Sequence, residues 1–111
     1  MKKIWKEIVK FNDIYYPYWR FRKGPMFFAV ALAGETGELC NRLKKLYGGG
    51  TNIEIVTIEE IGEEAFDILV YLVLLLESIG ISVNDFEKIA NWKLKVLYDR
   101  MASGRGDFND K

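Results

Sequence analysis

The stretch Glu63-Glu64-Ala65-Phe66-Asp67-Ile68-Leu69-Val70-Tyr71-Leu72-Val73-Leu74-Leu75-Leu76 decides how this chain is read. From Ala65 to Leu76 every residue but Asp67 is apolar or aromatic. An ionised carboxylate in such a run needs a partner, because burying it alone costs several kcal/mol. Glu64 stands three residues earlier, about 60° round a helix, so the two acids share a face. The run is too short to span a bilayer and carries Asp67 near one end, which predicts a buried helix and no membrane partner. A nearly all-apolar helix in a chain of 111 residues has too little protein to cover it, so oligomerisation is expected.

A second acid pair with the same spacing lies upstream, Glu35 and Glu38 in Ala33-Gly34-Glu35-Thr36-Gly37-Glu38-Leu39. Composition narrows what the four acids can do. The chain holds no histidine. That removes Ser-His and Cys-His catalysis, His-based zinc sites and the Glu-x-x-His pairs of ferritin-like di-iron proteins. A metal bound here has oxygen ligands, which favours Mg²⁺, Mn²⁺ or Ca²⁺. Charge is balanced at 16 basic and 16 acidic residues, against a binder of nucleic-acid polymers built on bulk electrostatics. Cys40 is the one cysteine and forms no intramolecular disulfide. With no signal peptide in view, the expected location is cytoplasmic.

Residues 2 to 16 read as an amphipathic helix with Ile4, Trp5, Ile8, Val9 and Phe11 apolar. Pro17 interrupts it amid Tyr15, Tyr16, Tyr18, Trp19 and Phe21. These rings either pack a core and dimer face or stack on a flat ligand. Gly24-Pro25 opens a second helix, with proline at a permitted first-turn position. It runs to about Tyr47, with Lys44 and Lys45 in its last turn. Gly34 and Gly37 inside it each cost roughly 1 kcal/mol against alanine. Either another helix crosses closely there or a ligand approaches the backbone. A connection from Gly48 to about Val56 follows, in which Asn52-Ile53-Glu54-Ile55 could be extended. Thr57 with Glu60 makes a capping box for a third helix ending near Gly80. Ser82 with Asp85 repeats the pattern for a fourth, with Phe86, Ile89, Ala90, Leu94, Leu97, Tyr98 and Met101 as its stripe. The expected fold is therefore all-α, a bundle of about four helices with its core completed by oligomerisation. It forms one domain over residues 1–101, with a loose tail over 102–111.

The second and third helices are joined by about ten residues, which predicts antiparallel packing. Glu38 lies about nine residues before Tyr47, and Glu64 about seven after Thr57. At about 1.5 Å per residue the two distances from the connection nearly match, so the pairs can meet. Two carboxylates about 4 Å apart repel by about 4 kcal/mol at an effective dielectric of ~20, and cations offset this best. A Mg²⁺ ion on a few carboxylates keeps positions for water and substrate phosphates.

With these motifs in order, the sequence resembles the MazG-like all-α nucleoside triphosphate pyrophosphohydrolases. The pattern is a Glu-x-x-Glu helix, a Glu-x-x-Asp helix and a basic helix, here Glu35-Thr36-Gly37-Glu38, Glu64-Ala65-Phe66-Asp67 and the segment from Asn91 to Arg100. Pro25 through Leu39 is similar to the branch that includes dCTP pyrophosphatases. The resemblance implies hydrolysis of a nucleoside triphosphate between the α and β phosphates, in nucleotide-pool house-cleaning. It implies Mg²⁺, or Mn²⁺, on Glu35, Glu38, Glu64 and Asp67, with a metal-bound water as nucleophile. It implies a homodimer or homotetramer with the active site near the subunit interface. It places Tyr71 at the base, with Trp19 from the aromatic cluster a further base-binding candidate. It gives Lys93, Arg100, Asn91 and Lys95 to the phosphates. Leu97 and Lys45 stand where the branch often has Asn and Trp, so base preference stays open. Alternatives within the superfamily are a dUTPase or a phosphoribosyl-ATP pyrophosphohydrolase. Outside it stands a non-catalytic helical oligomer that binds nucleotide or protein.

Overall fold

The computed structural model describes residues 1–47 and 57–104. Among them are five helices and no strand: α1 (Lys2–Tyr15), α2 (Trp19–Arg22), α3 (Pro25–Tyr47), α4 (Ile58–Ser78) and α5 (Val83–Ala102). The all-α expectation holds. The extended segment expected at 52–55 lies outside the described residues, as does the tail beyond Gly104. Among the described residues no single helix is long and apolar enough to cross a membrane. The chain divides into two compact units, Met1–Gly80 with α1 to α4 and Ile81–Lys111 with α5.

The helix ends follow from local chemistry. α1 closes with Tyr16 N–H donating to Asn12 O at 2.7 Å. Tyr16 then leaves the helical region at φ −135°, ψ 60°, as a residue before proline tends to. The single turn of α2 was not foreseen: the sequence shows the proline break but not that Trp19–Arg22 would coil again after it. α3 starts at Pro25 as expected. Thr57 caps α4, its hydroxyl accepting from Glu60 N–H at 3.2 Å. Gly80 at φ +89° makes the turn after α4, a conformation open to glycine. Ser82 and Asp85 form the full capping box of α5, with bonds of 3.2 and 3.3 Å.

In the first unit the buried apolar side chains are Trp5 and Ile8 of α1, Trp19 of α2, Phe28 of α3, and Val73 and Leu74 of α4. Full burial of such a side chain stabilises by about 1.5–3 kcal/mol. Trp19 meets Phe28 edge to face at 5.7 Å. Polar contacts fix α1 and α2 on the end of α4. Trp5 Nε1 donates to Glu77 Oε2 at 2.8 Å, and Arg20 pairs with Glu77 Oε1 at 3.3 Å.

α3 and α4 share the most extensive packing of any two helices. Arg42, late in α3, reaches Glu60, early in α4, while the earlier Glu35 lies against the later Glu64 and Asp67. The two helices therefore run antiparallel, in the offset register that the distances from the connection imply. Two expectations change. Asp67 is exposed rather than buried, so water as well as its neighbours solvates the one charge in the apolar run. Among the described residues nothing lies within 4 Å of where a Cβ on Gly34 or Gly37 would sit, so no described helix of the same chain crosses closely there.

Candidate metal centre

The i, i+3 spacing puts Glu35 and Glu38 on one face of α3, and Glu64 and Asp67 on one face of α4. The antiparallel register turns these faces together. One carboxylate oxygen each from Glu35, Glu64 and Asp67 lies within 4.8 Å of the others. Glu38 lines the same cleft, with Ala31 and Gly34 on its floor. The cleft has a volume of about 580 Å³. Gly34 matters here: a Cβ at this position would extend into open space beside the acids.

Glu35 faces the other three acids in this cleft. Its carboxyl is pushed above the ordinary value, first by loss of solvation, then by the charges of Asp67, Glu64 and Glu38, and by a hydrogen bond with Glu64. Glu35 and Glu64 are half-buried, while Asp67 and Glu38 are exposed. A cation appears at the edge of the cluster that was not among the sequence candidates. Arg42 Nε lies 3.8 Å from Glu64 Oε1, and Arg42 Nη1 lies 3.2 Å from Glu60 Oε2. Its signal was its place one turn beyond Glu38 on the same face of α3.

The acid cleft adjoins an apolar one. Glu35 and Asp67 also border a cavity of about 630 Å³ between α1 and α4, walled by Ile8, Phe11, Phe66 and Val70. Asn12, Tyr16, Tyr71 and Leu74 line it too, and the same four border a further aromatic cavity of about 520 Å³ around Tyr18 and Phe27. Tyr71 is half-buried and stands one turn beyond Asp67 at the junction of the two cavities. For Trp19 the reading changes. It is 4% exposed, its Nε1 donates to Asp13 at 2.8 Å, and the Arg20 guanidinium lies 4.4 Å from its ring centroid. It borders the aromatic cavity as a buried residue packed by Phe28 and Arg20.

Asn91, Lys93, Lys95 and Arg100 all lie on α5, in the second unit. Lys93 and Arg100 share a face by their spacing of seven, with Lys93 exposed and Arg100 half-buried in the last turn.

The arrangement can hold a hard divalent cation on carboxylate oxygens, beside a cavity that suits a flat, mostly apolar group. No family model, curated protein or solved structure matches the chain.

Proposed function

We propose that the chain is a Mg²⁺-dependent nucleoside triphosphate pyrophosphohydrolase of the MazG-like kind, converting a triphosphate and water into a monophosphate and pyrophosphate. The carrying observation is the meeting of Glu35, Glu64 and Asp67 at the end of a tyrosine-bearing apolar cavity. The donor set suits the ion: every candidate ligand is a carboxylate oxygen, the three crowd one another, and Gly34 leaves room beside them.

Glu35, Glu38, Glu64 and Asp67 hold the cation in this reading. Bound there, Mg²⁺, or Mn²⁺ in its place, would offset negative charge on the phosphates and make water more acidic. A free carboxylate oxygen of the cluster accepts the proton released when water adds across the α–β anhydride. The apolar cavity takes base and sugar, with Tyr71 at its wall. The sequence resemblance gives Asn91, Lys93, Lys95 and Arg100 to the phosphates. Bare apolar surface supports a homodimer or homotetramer: Phe21 is 89% exposed and Met26 73%. A cytoplasmic location accords with a soluble nucleotide substrate.

The test is pyrophosphate release with Mg²⁺ across canonical and modified NTPs and dNTPs, with Glu38→Gln as control. Release by the unaltered protein and its loss in the variant support the reading. Silence across the panel, with Mg²⁺ and nucleotide still bound, favours a non-catalytic binding module.

A further inference from the structure

Asn12 is the polar exception on the buried face of α1. Trp5, Ile8 and Asn12 are the buried residues of that helix, at helical spacing, and Asn12 is 8% exposed. Its backbone carbonyl accepts from Tyr16 N–H. Among the described residues its carboxamide has no hydrogen-bond partner, yet no side-chain polar atom there is both sealed from the surface and unsatisfied. The amide therefore opens onto the cavities that Asn12 lines, one of which reaches Glu35 and Asp67.

A leucine of similar size would fill this place with no polar group to satisfy. Open to the cavity, the carboxamide is paired by water in the free protein and can exchange that water for the polar edge of a ligand. It presents a donor and an acceptor side by side in one plane. The matching partner is a planar ring edge carrying an acceptor next to a donor, which is how asparagine reads a nucleobase. The surrounding Tyr16, Tyr71, Leu74 and Phe66 supply apolar and aromatic surface for the ring.

Building on the pyrophosphohydrolase reading, we propose that Asn12 is the specificity-determining residue of the site. Its carboxamide pairs with the donor–acceptor edge of a nucleobase seated in the cavity between α1 and α4, and the phosphates extend toward Glu35 and Asp67. Recognition of the base is then separable from the cation, because Asn12 belongs to α1 and the acids to α3 and α4.

The experiment is calorimetric binding of nucleoside 5′-monophosphates in EDTA, set against 2-deoxyribose 5-phosphate, which lacks a base. The unaltered protein is expected to bind at least one base-bearing monophosphate roughly tenfold or more tightly than the abasic probe. Asn12→Leu is expected to remove most of that preference with helicity and melting temperature maintained. Asn12→Asp keeps the shape and loses the amide donor, and is expected to lose the preference as well, which decides the matter if the leucine variant does not fold. No preference in the unaltered protein, or a preference that survives in a folded variant, overturns the proposal. Pyrophosphate release is followed in parallel. Turnover with unchanged base selectivity in Asn12→Leu overturns the role of Asn12 and leaves the pyrophosphohydrolase reading in place. Asn12-dependent base binding without turnover does the reverse.

Discussion

Glu35 of α3 and Asp67 of α4 hold carboxylate oxygens within 4.8 Å of each other, and Glu64 completes the group. Water screens part of the repulsion between them, so relief of one charge is worth about 1 kcal/mol or less. Glu35→Gln and Asp67→Asn are each expected to stabilise the metal-free protein by that modest amount, seen as a small rise in melting temperature. Both are expected to weaken Mg²⁺ binding. Loss of even an outer-shell partner costs a metal site roughly 10–100-fold in affinity, and loss of a ligand should cost no less. Thermal melts paired with Mg²⁺ titration check both halves. A variant that melts lower and binds the cation as before contradicts the assignment.

The raised pKa of Glu35 fixes the sign of a pH effect. The folded, metal-free protein binds this proton more tightly than the unfolded chain, whose glutamate titrates near the ordinary 4.5. Between the ordinary and the raised value the native state carries more protons, so stability falls as pH rises through that window. The loss is complete above the folded pKa. Urea midpoints across the acid to neutral range should show this component in the unaltered protein, not in Glu35→Gln. Saturating Mg²⁺ should flatten it, since the cation favours the ionised carboxylates.

The acid cluster was legible because helical spacing and distance from a connection are both written in the chain. Glu35/Glu38 and Glu64/Asp67 each share a face, and their near-equal distances from the connection carry the antiparallel register. What covers a face is not written locally. Asp67 reads as buried among apolar neighbours, yet it lies exposed in a cleft, because nothing local says which side of α4 its neighbours leave open. Trp19 reads either as core packing or as a stacking surface, and the turn of α2 folds it onto Phe28. Asn12 follows Trp5 and Ile8 at helical spacing, but no motif in the sequence marks it as a site residue. Its meaning depends on a cavity that only the packing of α1 on α4 creates.

Glu77 is expected to be a stability residue independent of the acid cluster. Trp5 is 3% exposed, and its indole N–H donates to Glu77 at 2.8 Å. Glu77→Ala removes that acceptor and the Arg20 pair, at a cost of about 1–3 kcal/mol. Glu77→Gln keeps an acceptor and should cost clearly less. Urea denaturation of the two variants separates these outcomes.

The capping box of α5 makes a separate prediction. Ser82 Oγ accepts from Asp85 N–H, and the Asp85 carboxylate accepts from Ser82 N–H. Ser82→Ala leaves a first-turn amide of α5 without its side-chain acceptor and should destabilise by about 0.5–2 kcal/mol. Hydrogen exchange at the first turn of α5 should speed up most, and a uniform change along the helix would contradict a local cap.

The most direct test of the proposed reaction is phosphorus NMR of the products from a single nucleoside triphosphate incubated with the protein and Mg²⁺. Cleavage at the α–β anhydride predicts monophosphate and pyrophosphate in equal amounts, with neither formed in EDTA nor by Asp67→Asn. Diphosphate with inorganic phosphate, or the same products at the same rate from Asp67→Asn, would contradict the assignment of Glu35, Glu38, Glu64 and Asp67 to this chemistry.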